Sequence, residues 1–216
     1  MTDREWDDCP HSDHMLMPLH GWMQEAPSRH RALDRKLRLF AVACCRQRQE
    51  LFTDPYCARA IEVADGQSSS AETKELYDTI MSLPCDDAQA HAIHNVALKL
   101  IGAGGLQAAM GAIMDLAVAT GWDDFRSITA AQAPLLRCVV GNPFRPVALD
   151  PRWRTTTAVD LGEAIYADRA FERLPILADA LQDAGCSHPD VLGHCRSPGG
   201  AHSRGCWVID LLLEKT

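Results

Sequence analysis

Apolar positions recur from Leu33 at the spacing of one helix face. Leu33, Leu37, Phe40, Cys44 and Leu51 share that face, while Arg35, Lys36 and Arg46 fall elsewhere on the cylinder. The next stretch, "TDPYCARAIEVADG", predicts a helix with Asp54 as N-cap, Pro55 in its first position and Gly66 as its stop. In "SAETKELYDTIMSL", Ser69 and Glu72 stand at capping-box spacing. "DDAQAHAIHNVALKLIG" opens on acids and closes on glycine. "GLQAAMGAIMDLAVATG" is apolar almost all round, which predicts a central buried helix.

The second half has the same character. "ITAAQAPLLRCVVG" reads as a helix stopped by Gly141, with Pro134 near its start or at a kink. "NPFRPVALDP" reads as an extended connector. "TTAVDLGEAIYADRAF" and "ERLPILADALQDAG" read as two more helices, with Pro175 in the first turn of the second and Gly185 at its end. "HPDVLGHCR" supplies one or two turns, and "GCWVIDLLLEK" closes the chain as a helix. No alternating runs flank an Asn-Gly or Asp-Gly turn, so hairpins are unsupported. The expected fold is all-α, an irregular multi-helix bundle or a helical-repeat-like domain. It spans 1–216 as a single helical domain, or as two lobes meeting near 141–150.

Composition narrows the function classes. The 216 residues carry a formal net charge of -8, which argues against general nucleic-acid binding. The opening "MTDREWDDCP" lacks the basic region and apolar run of an export signal, and the longest apolar stretch, Gly105 to Gly121, is short for a membrane span. A cytoplasmic protein without a membrane span is expected. Nine cysteines then read as free thiols or metal ligands rather than a disulfide framework. Those inside apolar helical patterns read as small buried hydrophobes.

Four stretches carry a resemblance: "LDRKLRLFAVACCR" (33–46), "LLRCVVGNPFRPVALDPRW" (135–153), "AIYADRAFERLPILADALQDAGC" (164–186) and "HCRSPGGAHSRGCWVIDLLL" (194–213). Together they resemble a bacterial family of helical proteins that occur as many paralogues. The resemblance implies a binding module more than a housekeeping enzyme, and it carries over no catalytic roles.

Five constellations hold candidate chemistry. Cys186, His194, His202 and Cys206 form C-x7-H-x7-H-x3-C, two sulfurs and two imidazoles, a common structural zinc set. Iron and copper are the other metals considered. The last pair shares a helix face if the closing helix begins near His202. His188 and Cys195 compete as ligands within the same span. The blander reading of this stretch is a clasp, with Pro198, Gly199 and Gly200 forming a tight loop that buries Trp207 and Leu211. His91 and His94, with Glu72 and Glu75, form a second set, and Cys9, His11, His14 and His20 a third. Cys206 with His202 and Asp210 has the composition of a cysteine nucleophile, its base and an orienting acid. Asp210, an acid within "CWVIDLLL", needs a partner if buried, and Arg145 and Arg204 are the candidates. Finally, "RHRALDRKLR" is either a phosphate or acidic-partner site or a solvated helix face.

GxGxxG, P-loop, GxSxG, HExxH and CxxC motifs are all absent from the sequence. The leading expectation is a helical binding or interaction module, open to metal stabilisation at its C-terminal loop, with a protein or small-molecule partner. The alternatives are a metal-dependent enzyme, redox-active or not, using His and Cys ligands, or a cysteine enzyme at Cys206.

Overall fold

The computed structural model describes residues 1–24, 27–66, 69–122, 124–197 and 200–215, with backbone alone for 27–30. Among these residues there are twelve α-helices and no strand, so the fold is all-α. In chain order they are α1 (Asp3–Asp8), α2 (Ser12–Gln24), α3 (Pro27–Gln47), α4 (Pro55–Ala64), α5 (Ser70–Met81) and α6 (Ala88–Gly102). Then come α7 (Gly105–Ala119), α8 (Phe125–Val140), α9 (Thr156–Asp168), α10 (Leu174–Asp183), α11 (Pro189–Arg196) and α12 (Trp207–Leu212). Among the described residues, no helix is long and apolar enough to cross a membrane.

The caps agree with the sequence signals. The Asp54 carboxylate accepts from the N–H groups of Tyr56 and Cys57, with Pro55 next in the chain. The Ser69 hydroxyl accepts from the N–H of Glu72, and the Asp87 carboxylate from that of Ala90. Each bond satisfies a donor that the first turn of a helix leaves unpaired. Two helices lie outside the pattern-based expectation. In α2, Met15, Leu16, Leu19 and Met23 form a buried stripe, despite Pro18 in its midst. In α1, Trp6 is fully buried. The apolar pattern running to Leu51 breaks earlier than expected: α3 ends at Gln47, and a 3-10 turn takes Gln49–Leu51.

The chain divides into two compact units. One is Asp8–Ala133; the other joins Met1–Asp7 to Pro134–Thr216. The division falls inside α8, at Pro134, rather than near 141–150. In the first unit α7 packs against both α3 and α6, and nine of its fifteen residues are buried. Asp34 and Arg38 of α3 fasten this packing. The Asp34 carboxylate accepts from the Gly105 N–H (2.6 Å), and the Arg38 guanidinium donates to the carbonyls of Leu100 and Ala103 (2.8 Å each). Arg38 thus satisfies carbonyls that the end of α6 leaves open. Of the described part of the basic run, Arg31 is exposed, Arg35, Lys36 and Arg38 are half-buried, and Arg38 clamps a helix end.

In the second unit, α9, α10, α11 and α12 enclose a core of Ile165, Leu174, Leu177, Leu181, Val191 and Ile209. Arg145 does not pair with Asp210. Its guanidinium reaches Asp3 (3.1 Å), Asp7 (3.0 Å) and Asp190 (2.9 Å), while Asn142 donates to the Asp3 carbonyl and the Asp7 carboxylate (3.0 Å each). The reason is placement. Arg145 stands half exposed where three acids converge, and Asp210 is buried within α12. The Asn142–Arg145 turn therefore ties α1 to α11.

Close packing at Gly105 gives a test. A Cβ there would lie 1.9 Å from the Asp34 carbonyl oxygen, so α3 and α7 must separate to admit one. Gly105→Ala is expected to destabilise by about 1–3 kcal/mol. Gly21, on α2 with nothing within 4 Å of its would-be Cβ, is the control: Gly21→Ala stabilises by roughly 0.5–1 kcal/mol. Denaturant midpoints of the two variants should move in opposite directions.

Candidate metal centre

Gly141 ends α8 with φ of +74°, a conformation that costs glycine little. Its bare α-carbon also faces an indole: a Cβ there would come within 3.1 Å of the Trp207 ring. Trp207 is the first residue of α12 and Cys206 is its N-cap. Cys138 lies three residues before Gly141, on the buried side of α8. The contact of Gly141 with Trp207 therefore brings the end of α8 to the start of α12, one cysteine on each.

Two imidazoles complete the group. His194 projects from α11, with its ring tilted against Trp207 at 5.5 Å between centroids. His202 comes from the segment before α12, its ring perpendicular to that of His194 at 4.9 Å. His194 Nε2 lies 3.2 Å from Cys206 Sγ, and His202 Nδ1 lies 3.6 Å from Cys138 Sγ. The ligand atoms of all four residues lie within 4.8 Å of one another. Among the described residues, no other group of three or more His, Cys, Asp or Glu converges in this way.

The 3.2 and 3.6 Å contacts are close to the edges of a tetrahedral coordination sphere, and the widest separations, up to 4.8 Å, would have to contract on binding. With metal–sulfur bonds of about 2.3 Å and metal–nitrogen bonds of about 2.0–2.1 Å, the corners of a tetrahedron are roughly 3.4–3.8 Å apart. The electrostatics suit a bound ion. Burial works to raise the Cys206 thiol, but hydrogen bonding with Cys138, the charge of His194 and hydrogen bonds from both histidines together hold it well below the usual thiol range. Neighbouring Cys195 goes the other way, pushed up by burial and then by the charges of Cys206 and Cys186. A thiolate is the form that binds metal.

Three of the four expected ligands meet here: His194, His202 and Cys206. Cys186 is buried outside the group, and Cys138 occupies the fourth corner instead. Cys138 is 56 residues before His194, inside the apolar helix pattern of "LLRCVVG", where only its packing is legible. His202 and Cys206 do not share a helix face, because α12 begins at Trp207. His188 is not a competitor: it caps α11, its Nδ1 accepting from the Asp190 N–H at 3.3 Å. Cys195 is buried and lies outside the group as well. Of the expected clasp, Pro198 and Gly199 lie outside the described residues, and Trp207 and Leu211 are half-buried rather than buried.

The other constellations disperse. His91 is exposed, while His94 is buried and contacts Cys85; Glu72 pairs with Arg59. His11 meets Thr129, His14 meets Asp13, and His20 meets Gln24. Comparison with protein-family models, characterised proteins and solved structures finds no match to this chain.

Gly200 tests how tightly the cluster is built. A Cβ there would lie 2.7 Å from His202 Nε2 and would push the ring out of place. Gly200→Ala is expected to lower the melting temperature. Gly193→Ala, on α11 with nothing within 4 Å, should hold or raise it. Equal effects would show that His202 is not constrained.

Proposed function

We propose that this protein is a helical binding module whose C-terminal unit is tied by a zinc ion held by Cys138, His194, His202 and Cys206. The observation that carries the reading is the convergence of two sulfurs and two imidazole nitrogens within 4.8 Å. Two thiolates and two imidazoles suit zinc before iron or copper, and four protein ligands close the tetrahedron with no position left for water or substrate. The ion's role is therefore structural. It joins α8, α11, the segment before α12 and α12 itself, beside the unit's apolar core. Its binding free energy becomes folding free energy. All four ligands fall in two of the stretches that carry the family resemblance, 135–153 and 194–213.

The cysteine-enzyme reading finds less support. Cys206 lies beside His194 as a nucleophile lies beside its base, but it is 0% exposed. The proposed partner of the module is a protein or a small molecule, recognised on its helical surfaces and not at the metal.

Elemental analysis of protein purified without an affinity tag or chelator should give one zinc per chain. Chelation should then remove about 3–4 kcal/mol of stability, the amount expected where the free metal exceeds its Kd by several hundred-fold. Cys138→Ser and His202→Ala should each abolish both the metal and the chelator's effect. Cys186→Ser should leave both intact. Metal-free protein whose melting is indifferent to chelator would contradict the proposal.

A further inference from the structure

Away from this cluster, in the Asp8–Ala133 unit, one cysteine differs from the rest. Eight of the nine thiols are buried; Cys85, between α5 and α6, is exposed. A histidine also stands at its sulfur: Cys85 Sγ lies 2.9 Å from Nδ1 of His94. His94 is only 8% exposed, held within α6 between buried Ile93 and neighbouring Val96 and Ala97. A fixed imidazole thus faces a solvent-accessible thiol. The Leu83 carbonyl oxygen is 4.0 Å from the Cys85 sulfur, and the residue is open to solvent. Accessible approach on one side and a base on the other are the two requirements of a reactive thiol.

We propose that Cys85 is a site of reversible oxidation, where a hydroperoxide converts the thiol to a sulfenic acid with His94 handling the proton. The Cys85 sulfur attacks the nearer peroxide oxygen. A sulfur–oxygen bond forms, and the oxygen–oxygen bond breaks. His94 Nδ1 takes the thiol proton and returns it to the departing oxygen, which leaves as water or an alcohol. Sulfur is oxidised by two electrons and the peroxide is reduced by two. The product is a sulfenic acid, the reversible first rung of cysteine oxidation.

The full-length protein is treated with hydrogen peroxide in the presence of dimedone, and each cysteine-containing peptide is followed by mass spectrometry. Cys85 should take the label first. In the folded protein it should do so at least about tenfold faster than the same cysteine does in urea, where His94 is no longer beside it. His94→Gln, with a melting transition retained, should lower the folded rate by a similar factor. If that variant does not fold, the comparison of folded with urea-unfolded wild-type protein decides alone. The proposal is overturned if another cysteine is labelled first, if folding brings no acceleration, or if folded His94→Gln reacts at the wild-type rate.

Discussion

The Trp207 ring lies against the bare α-carbon of Gly141, and the chemistry of the C-terminal unit depends on that contact. Gly141 turns the chain out of α8 at positive φ, and Trp207 starts α12. Any side chain at 141 meets both a strained backbone and an indole at 3.1 Å. Because the two helix ends touch there, Cys138 and Cys206 fall on either side of one small space. His194, packed on the same indole, reaches that space from α11. A buried thiol beside another thiol and two imidazoles is costly unless protons or a cation are shared among them. Hydrogen bonds from Cys138 and both histidines hold the Cys206 thiol low against its burial.

Polar side chains close helix ends in both units, as where Arg154 donates to the Leu212 carbonyl at the end of α12. In the Asp8–Ala133 unit, side chains from α3 answer the open ends of neighbouring helices: Arg38 binds the last carbonyls of α6, and Asp34 binds the first N–H of α7. In the other unit, the half-exposed Arg145 gathers Asp3, Asp7 and Asp190. Exposed ion pairs of this kind contribute little each and weaken with salt. The cohesion of that unit thus rests first on its apolar core.

Much of the fold was legible because its signals are local. Asp54, Ser69 and Asp87 mark helix starts through side-chain bonds spanning two or three residues, and glycine marks several of the ends. Three members of the cluster were legible for the same reason, since His194, His202 and Cys206 lie within thirteen residues. Cys138 was not. Its sequence neighbours, Leu135, Leu136 and Val139, are all buried, so a cysteine among them looks like one more small core side chain. Its role depends on where α12 docks, which no local pattern encodes. The Arg145 pairing was illegible for a similar reason: the acids that reach it, Asp3 and Asp7, are about 140 residues away in sequence, in a helix the pattern did not predict. The N-terminal histidines and cysteine look like loose ligands and mask the apolar stripe of α2 that runs between them.

The central claim is that one ion is held by two sulfurs and two imidazole nitrogens, with Cys138 among them. X-ray absorption at the zinc edge of the purified protein tests it most directly. Expected are two sulfurs at about 2.3 Å and two nitrogens at about 2.0–2.1 Å, with the imidazole outer shell visible. In Cys138→Ser that sphere should be lost, and in Cys186→Ser it should remain unchanged. A shell of oxygens, a sphere with other than two sulfurs, or one that survives in Cys138→Ser and is lost in Cys186→Ser would contradict it.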